Sequence, residues 1–350
     1  RYTANNQYVV NGVNVIDGLT PKPLNDENTI HLYQKNMDIY VLSNMKIKID
    51  TGKNFFEALY KVQSIVLNNF YTSDVTDMSY MFSHCQVIKS LDCSMLNTSK
   101  VTNMSGMFSY NDMMTTLNIS NFDTSNVTNM HCMFSSCDVL DNLDVSHFNT
   151  SKVEKFSSMF SGCAKLRYVD VSNFDTSNAT TFDTMFGNCE SLNGIDLSNF
   201  NTSKAKSLQL MFTKCTSLTS IDLSSFDTSN VTNFSSMFME CSALTSLDIS
   251  NFNTDKMVSV NYIFYGCSSL TSIDVRCLKT RNIKDFRGIF ASCSSLKTIY
   301  ANDNFDTSNC TNDYNLFNGS RALVGAIAYD SSKQGISYAN YKTGYFTYKA

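Results

Sequence analysis

The dipeptide Met-Phe, or a close variant of it, returns at a fixed interval through most of the chain. Phe82, Phe108, Phe134, Phe160, Phe186, Phe212, Phe238, Phe264 and Phe290 are each 26 residues from the next, and Phe317 closes the series one residue late. A second column follows three residues behind it: Cys85, Cys137, Cys163, Cys189, Cys215, Cys241, Cys267 and Cys293, with Asn111 in the one missing place. A period of this size, kept without gaps over about ten units, restricts the chain to structurally equivalent coils stacked on one another. One such unit cannot bury its own apolar face, so the stack itself must supply the core.

The averaged unit is C-x-x-L-x-x-L-D-V-S-N-F-D-T-S-N-V-T-x-M-x-x-M-F-x-x, and it divides by periodicity. In "LDNLDVS", Leu143 and Val145 alternate with Asn142, Asp144 and Ser146, the period of a short strand with one face buried. In "TSNVTNMHCMFSSC", Val127, Met130, Met133, Phe134 and Cys137 fall at helical spacing, with Thr124, Ser125 or Asn126 available as an N-cap. This half is expected to be a short α-helix or a 3₁₀ turn. One strand per unit requires parallel pairing, with inward positions stacking at about 4.8 Å. The fold class expected is therefore a single α/β repeat solenoid. Both prolines, Pro21 and Pro23, precede the array. Residues 1–54 are expected to form an N-terminal cap, 55–320 the solenoid and 321–350 a C-terminal cap that covers the open sheet end.

The run "CAKLRYVDVSNF" fits the skeleton L-x-x-L-x-L through Leu166, Val169 and Val171, and "MFSGCAKL" resembles the A-F-x-x-C-x-x-L element of BspA-like leucine-rich repeats. The 26-residue form containing "SNFDTSNVTNM" is similar to the variant of bacterial and mycoplasma surface proteins. "LVGAIAYDSS" and "GYFTYK" resemble the segment that closes such arrays, so the likeness spans about residues 55–350. It implies a leucine-rich-repeat-like solenoid on a cell surface or secreted, linked to adhesion or contact with a host. No catalytic residues come with it.

Composition bounds the rest. The chain is 43% hydrophobic and 17% charged, enough apolar material for a core and unlike a disordered chain. A formal charge of -4 without a Lys/Arg run gives no footprint for nucleic acid. No apolar stretch reaches the roughly 18 residues of a membrane span. The sequence starts at Arg1 with no signal peptide, wall anchor or lipobox in view, and is read as a processed form or a segment of something longer, so this start does not argue for the cytoplasm.

Twelve cysteines raise the question of bridges, but one Cys per unit in an unbroken file gives no preferred partner. Buried free thiols are expected, with pairing open among the off-column Cys93, Cys132, Cys277 and Cys310. A zinc site needs clusters such as C-x-x-C, and none occurs. The histidines His31, His84, His131 and His147 are scattered and compose no catalytic triad. The triplets at Asn97 and Asn126 belong to the repeat consensus and signal glycosylation only in a eukaryotic source.

A third column, Asp92, Asp144, Asp170, Asp196, Asp222, Asp248 and Asp274 with Asn118 in the gap, faces out of the strands. It is either a cation- or ligand-binding stripe or a set of carboxylates held by neighbouring Ser, Thr and backbone N–H groups. Its uniformity favours the second reading, because a binding site usually breaks symmetry. The breaks are Arg167 and Tyr168 in one unit, and Arg276, Lys279 and Arg281, followed by Lys284 and Arg287, in another. The basic stretch would suit an anionic glycan or acidic protein surface, against the plain alternative of a solvated edge. The expected function is non-enzymatic binding of a protein or glycan on a host or neighbouring cell through the sheet face, using Arg167, Tyr168, Asp144, Asp170, Asp196, Asp222, Arg276, Lys279 and Arg281. The alternative is a structural spacer or fibre component that assembles with other surface or virus-particle proteins. No cofactor, metal, nucleic-acid partner or membrane insertion is expected.

Overall fold

The computed structural model describes residues 47–67 and 70–350, together with the backbone of six strands before them. These are β1 (Tyr2–Thr3), β2 (Gln7–Val10), β3 (Val13–Asn14), β4 (Lys22–Pro23), β5 (Ile30–Lys35) and β6 (Asp38–Ser43), which form two antiparallel sheets in the orders β1-β2-β3 and β4-β5-β6. Pro21, and the side chains of the expected 1–54 cap up to residue 46, lie outside the described residues.

From β7 (Ile47–Lys48) onward the strands pair in parallel. β7 pairs with β8 (Phe70–Tyr71) and β9 (Ser90–Asp92) with β10 (Thr116–Asn118). β11 (Ser272–Asp274) pairs with β12 (Thr298–Ala301), and β12 with β13 (Phe346–Tyr348). The register is one coil: Leu91 lies opposite Leu117 and Ile273 opposite Ile299. Between β10 and β11 the paired strands give way to single bonds, such as the Asn193 N–H to the Arg167 carbonyl at 3.2 Å. Leu143, Val145, Val169 and Val171 are buried while Asp144 and Tyr168 face out, as strand alternation requires.

The Met-Phe half is neither an α-helix nor a 3₁₀ turn. Among the described residues the one 3₁₀ helix is Ile336–Tyr338, beyond the last Met-Phe unit. The half consists of two β-turns in tandem. The Met107 N–H donates to the Met104 carbonyl and the Cys137 N–H to the Phe134 carbonyl. The third residue of each turn has positive φ, as in Gly106 (61°), Cys132 (55°) and Ser136 (56°), the signature of type II. Every second N–H then points along the stack: Met78 to Asn103 O, Tyr80 to Ser105 O, Phe82 to Met107 O and His84 to Ser109 O, all at 2.9 Å. The turns thus carry a ladder from coil to coil that an α-helix, with its N–H groups spent internally, would not offer. The N-cap expected at Thr124, Ser125 or Asn126 is corrected in the same way, since Thr124 Oγ–H donates to the Asn149 carbonyl of the next coil at 2.9 Å and Asn126 Nδ2 to the Ser99 carbonyl of the preceding one.

Inside, like sits on like. Phe56, Phe82, Phe108 and Phe134 stack at ring distances of 5.4, 5.7 and 5.7 Å, and the file runs unbroken to Phe290 and Phe317 at 5.8 Å. Phe56 begins the file one period before Phe82. The rings from Phe82 to Phe317 have no exposed surface. Full burial of each is worth about 1.5–3 kcal/mol.

Along one outer edge a longer period appears. Coils carrying Asn-Thr-Ser-Lys (Asn97–Lys100, Asn149–Lys152, Asn201–Lys204) alternate with coils carrying Asp-Thr-Ser-Asn (Asp123–Asn126, Asp175–Asn178, Asp227–Asn230). Each lysine reaches one coil back: Lys152 Nζ donates to Asn126 Oδ1 at 2.7 Å, Lys204 to Asn178 at 2.7 Å and Lys256 to Asn230 at 2.6 Å. Those asparagines in turn donate to the carbonyls of Ser99, Ser151 and Ser203. A lysine therefore never stacks on a lysine along this edge. Two coils, about 10 Å at strand spacing, separate like charges, which is about one Debye length in ordinary salt.

Candidate functional site

Each aspartate of the strand-face column sits two residues before a serine, or Arg276 in the last case, and accepts that residue's backbone N–H. Asp92 Oδ1 takes the Ser94 N–H at 3.0 Å, Asp196 that of Ser198 at 2.9 Å, and Asp222 that of Ser224 at 2.9 Å. Asp144 and Asp170 also take the hydroxyls of Ser146 and Ser172, both at 2.7 Å. These are Asx-turns, formed because a short carboxylate reaches its own backbone two residues on. The backbone and hydroxyl donors hold the Asp92, Asp144, Asp196, Asp222 and Asp248 carboxyls below the usual carboxylate range, although neighbouring aspartates push back on Asp222 and Asp248. Among the described residues no three His, Cys, Asp or Glu side chains converge as a metal site would require.

The column ends in a tight cluster. Burial alone would raise the Asp274 pKa, but hydrogen bonds from Arg276 and Lys349 prevail and hold it at about 2. Arg276 Nη2 lies 3.0 Å and Lys349 Nζ 2.9 Å from Asp274 Oδ2, and Lys349 also lies over the Tyr300 ring. Arg276 further reaches the Ala350 carbonyl. Lys279 pairs with Asp255 and Arg287 with Asp285. The basic stretch singled out in the sequence is thus largely engaged by carboxylates of its own chain. Arg281 is exposed; the Ser308 hydroxyl and N–H hold the Asp306 carboxyl below its usual range, with a lesser contribution from the Arg281 charge.

Arg167 and Tyr168 stand several coils away, so the structure does not bring the two groups together. Tyr168 is 54% exposed, an aromatic ring at a strand position that the other coils fill with Ser, Thr, Asn or Gly. The equivalent positions one coil to either side are Asn142 and Gly194, and a Cβ on Gly194 would meet nothing within 4 Å. Tyr168 shares its strand face with Asp170, and Asp144 and Asp196 occupy the adjacent coils at the Asp170 position.

All twelve cysteines are free. In the column, each thiol donates to the carbonyl of a phenylalanine 29 residues earlier: Cys137 to Phe108 O at 3.2 Å, Cys189 to Phe160 O at 3.1 Å and Cys241 to Phe212 O at 3.0 Å. Asn111 supplies the same bond, Nδ2 to Phe82 O at 3.0 Å, which explains why it fits the file. Burial pushes the Cys85, Cys163, Cys241 and Cys293 thiols up to about 12, so the column holds neutral donors rather than nucleophiles. Cys132 lies beside His131, Sγ to Nε2 3.3 Å, but its pKa too is raised by burial.

Sequence reading missed a surface aromatic pair, half-buried His84 and exposed Tyr110, stacked at 4.4 Å on successive coils with Tyr60 beside them. Column registry alone would have aligned His84 with Tyr110.

Parallel strands, one-coil register and an outward polar face define a leucine-rich-repeat type of solenoid that presents a long, regular surface. The chain belongs to the DUF285 family, described as Mycoplasma protein of unknown function, whose pattern matches residues 50–168, 137–242 and 206–329. Among solved structures it is similar to a leucine-rich repeat protein from Bacteroides ovatus, at 18% identity over 89% of this chain and 81% of that one, with a TM-score of 0.42. A leucine rich cell surface protein from Faecalibacterium prausnitzii is similar at 17% identity over 85% and 94%, with a TM-score of 0.35. No curated protein matches the chain. Among the described residues no helix is long and apolar enough to cross a membrane.

Proposed function

We propose that this chain is a non-enzymatic binding module, carried on a cell surface or secreted, that holds a protein or glycan of a host or neighbouring cell on its strand face around Tyr168. The observation that carries the proposal is the exposed Tyr168 ring, set between Asn142 and open-faced Gly194 where every other described coil presents Ser, Thr, Asn or Gly. An exposed aromatic offers contact area at little conformational cost, and the Asp144, Asp170 and Asp196 carboxylates beside it favour cationic or hydroxyl-rich partners. A non-enzymatic role is supported by the spent chemistry of the columns, since the buried thiols are neutral donors and the face aspartates are occupied in turns. The same proposal assigns residues 1–54 and 321–350 to the ends of the array at 55–320.

A panel of glycans and purified cell-surface proteins tests this with three forms of the chain. Binding should fall at least tenfold in Arg167→Ala/Tyr168→Ala and change little in Arg276→Ala/Arg281→Ala, because Arg276 is engaged by Asp274. Equal binding by all three forms overturns the assignment to Tyr168. The spacer reading is favoured by a different observation, the uninterrupted ring file from Phe56 to Phe317, and predicts association through the ends with no ligand on the face.

A further inference from the structure

The sequence breaks its period once, just before Phe305, and the structure places an open cleft of about 510 Å³ there. One wall is Asn302–Thr307 of the last coil and the other is Ala339–Thr343. Phe305 and Phe346, edge to face at 5.0 Å, form a buried floor. The Tyr341 hydroxyl holds Asp303 at 2.6 Å, and the Asn340 side chain accepts the N–H groups of Lys342 and Thr343. The volume lies within the range of ligand sites, roughly 300–1,000 Å³.

What belongs in the cleft follows from the coils below. In these coils the threonine of the Asx-Thr-Ser run donates to a carbonyl of the next coil, and in several it also accepts the N–H of that same residue, while Thr254 divides the two bonds between the Cys277 carbonyl and the Lys279 N–H. Thr98 Oγ–H donates to the Asp123 carbonyl at 3.0 Å and accepts the Asp123 N–H at 2.8 Å; Thr228 does the same with Asn253 at 2.9 and 2.8 Å. The series continues through Thr280, which donates to the Asp306 carbonyl at 2.8 Å. These threonines are at most 2% exposed. Thr307 is the next member. It is only half-buried, lines the cleft, and its hydroxyl has no partner among the described residues. β13 provides the following layer over β12, and Phe346 provides it over Phe305, but no described segment provides it over Thr307.

We propose that this cleft takes an extended peptide segment of another molecule, laid over Thr307 as each coil's Asx-Thr-Ser segment is laid over the threonine beneath it. Recognition is by one main-chain carbonyl and one N–H at Thr307, with an apolar side chain against the Phe305–Phe346 floor, a form of strand addition at the end of a stack. The site is independent of Tyr168, so its failure leaves the strand-face reading untouched.

The probe is a fluorescein-labelled peptide of sequence Ser-Asn-Phe-Asp-Thr-Ser-Asn, the run at residues 172–178, titrated with the full chain and followed by anisotropy. Saturable binding is expected, weakened about three- to tenfold by Thr307→Val, the effect of one lost hydrogen bond, and retained by Thr307→Ser. A peptide with proline in place of its aspartate, lacking that N–H, should bind more weakly to the unmodified chain. Circular dichroism confirms that each variant is folded. The proposal is overturned by absence of saturable binding, by binding indifferent to Thr307→Val, or by Thr307-sensitive binding of chitobiose without binding of the peptide.

Discussion

A cysteine in every coil is explained by a carbonyl. In most coils, as at Phe134 and Phe160, the stacked phenylalanine's C=O already accepts the N–H that closes its own turn, and the thiol 29 residues on supplies a second donor to the remaining lone pair inside the core. A thiol is small and apolar enough to be buried and still able to donate, which is why the file is Cys apart from Asn111 and the terminal Ser320, whose side chains make the same bond to Phe82 and Phe290. That the cysteines are buried and free was legible from their regular spacing. Their acceptors were not, because each lies 29 residues away in a neighbouring coil, which one unit does not display. The chemistry predicts a labelling order. Iodoacetamide at pH 8 should modify Cys132 and Cys310, both partly exposed, well before any column cysteine in the native protein, and mass spectrometry of tryptic peptides reads this directly. Early labelling of Cys163 or Cys189 would show that the file is open to solvent.

At the scale of the element, the Met-Phe half shows where periodicity misleads. Val127, Met130, Met133, Phe134 and Cys137 are spaced as on a helix face, yet two type II turns bury the same set. Positive φ usually advertises itself through Gly or Asn, but here the residues with it include Tyr80, Cys132, Thr184 and Leu210, held there by the coil-to-coil ladder. A local rule was overridden by stacking, which only the repeat as a whole encodes. The strand half was legible because alternation of two survives any context, and with it the outward placement of Asp144, Asp170 and Tyr168. The engagement of Lys279 by Asp255 of the neighbouring coil was not, nor the closing of the Arg276–Asp274 pair by Lys349 and the Ala350 carbonyl, which lie more than 70 residues on. The lysine edge yields a prediction of its own. Asn178→Lys would place cations on three consecutive coils between Lys152 and Lys204, at a cost of up to about 1 kcal/mol at low ionic strength. The melting temperature should fall in low-salt buffer and recover most of the loss in 1 M NaCl, where the Debye length is about 3 Å. A salt-independent loss would assign the effect to the missing Asn178 hydrogen bonds instead.

Over the whole molecule, cohesion is a sum of contacts between neighbouring coils, and the ring file is its longest continuous part. Phe186→Ala, in the middle of the file, should cost about 3–5 kcal/mol and leave two shorter stacks that no longer melt together, visible as a broadened or biphasic urea transition. Phe317→Ala at the end of the file should lower the midpoint without dividing the transition. A single sharp transition for Phe186→Ala would mean that the turn ladder and the threonine file alone keep the coils cooperative. This scale was the most readable from sequence, since ten coils in register follow from spacing alone, while the cleft beside Thr307 is a property of where the pattern stops. The alternation of Asn-Thr-Ser-Lys with Asp-Thr-Ser-Asn adds a rule of growth. Duplication or deletion of one coil would set two lysines or two aspartates in immediate succession, whereas copying a pair preserves the order, so related chains should differ in length by multiples of 52 residues within this stretch.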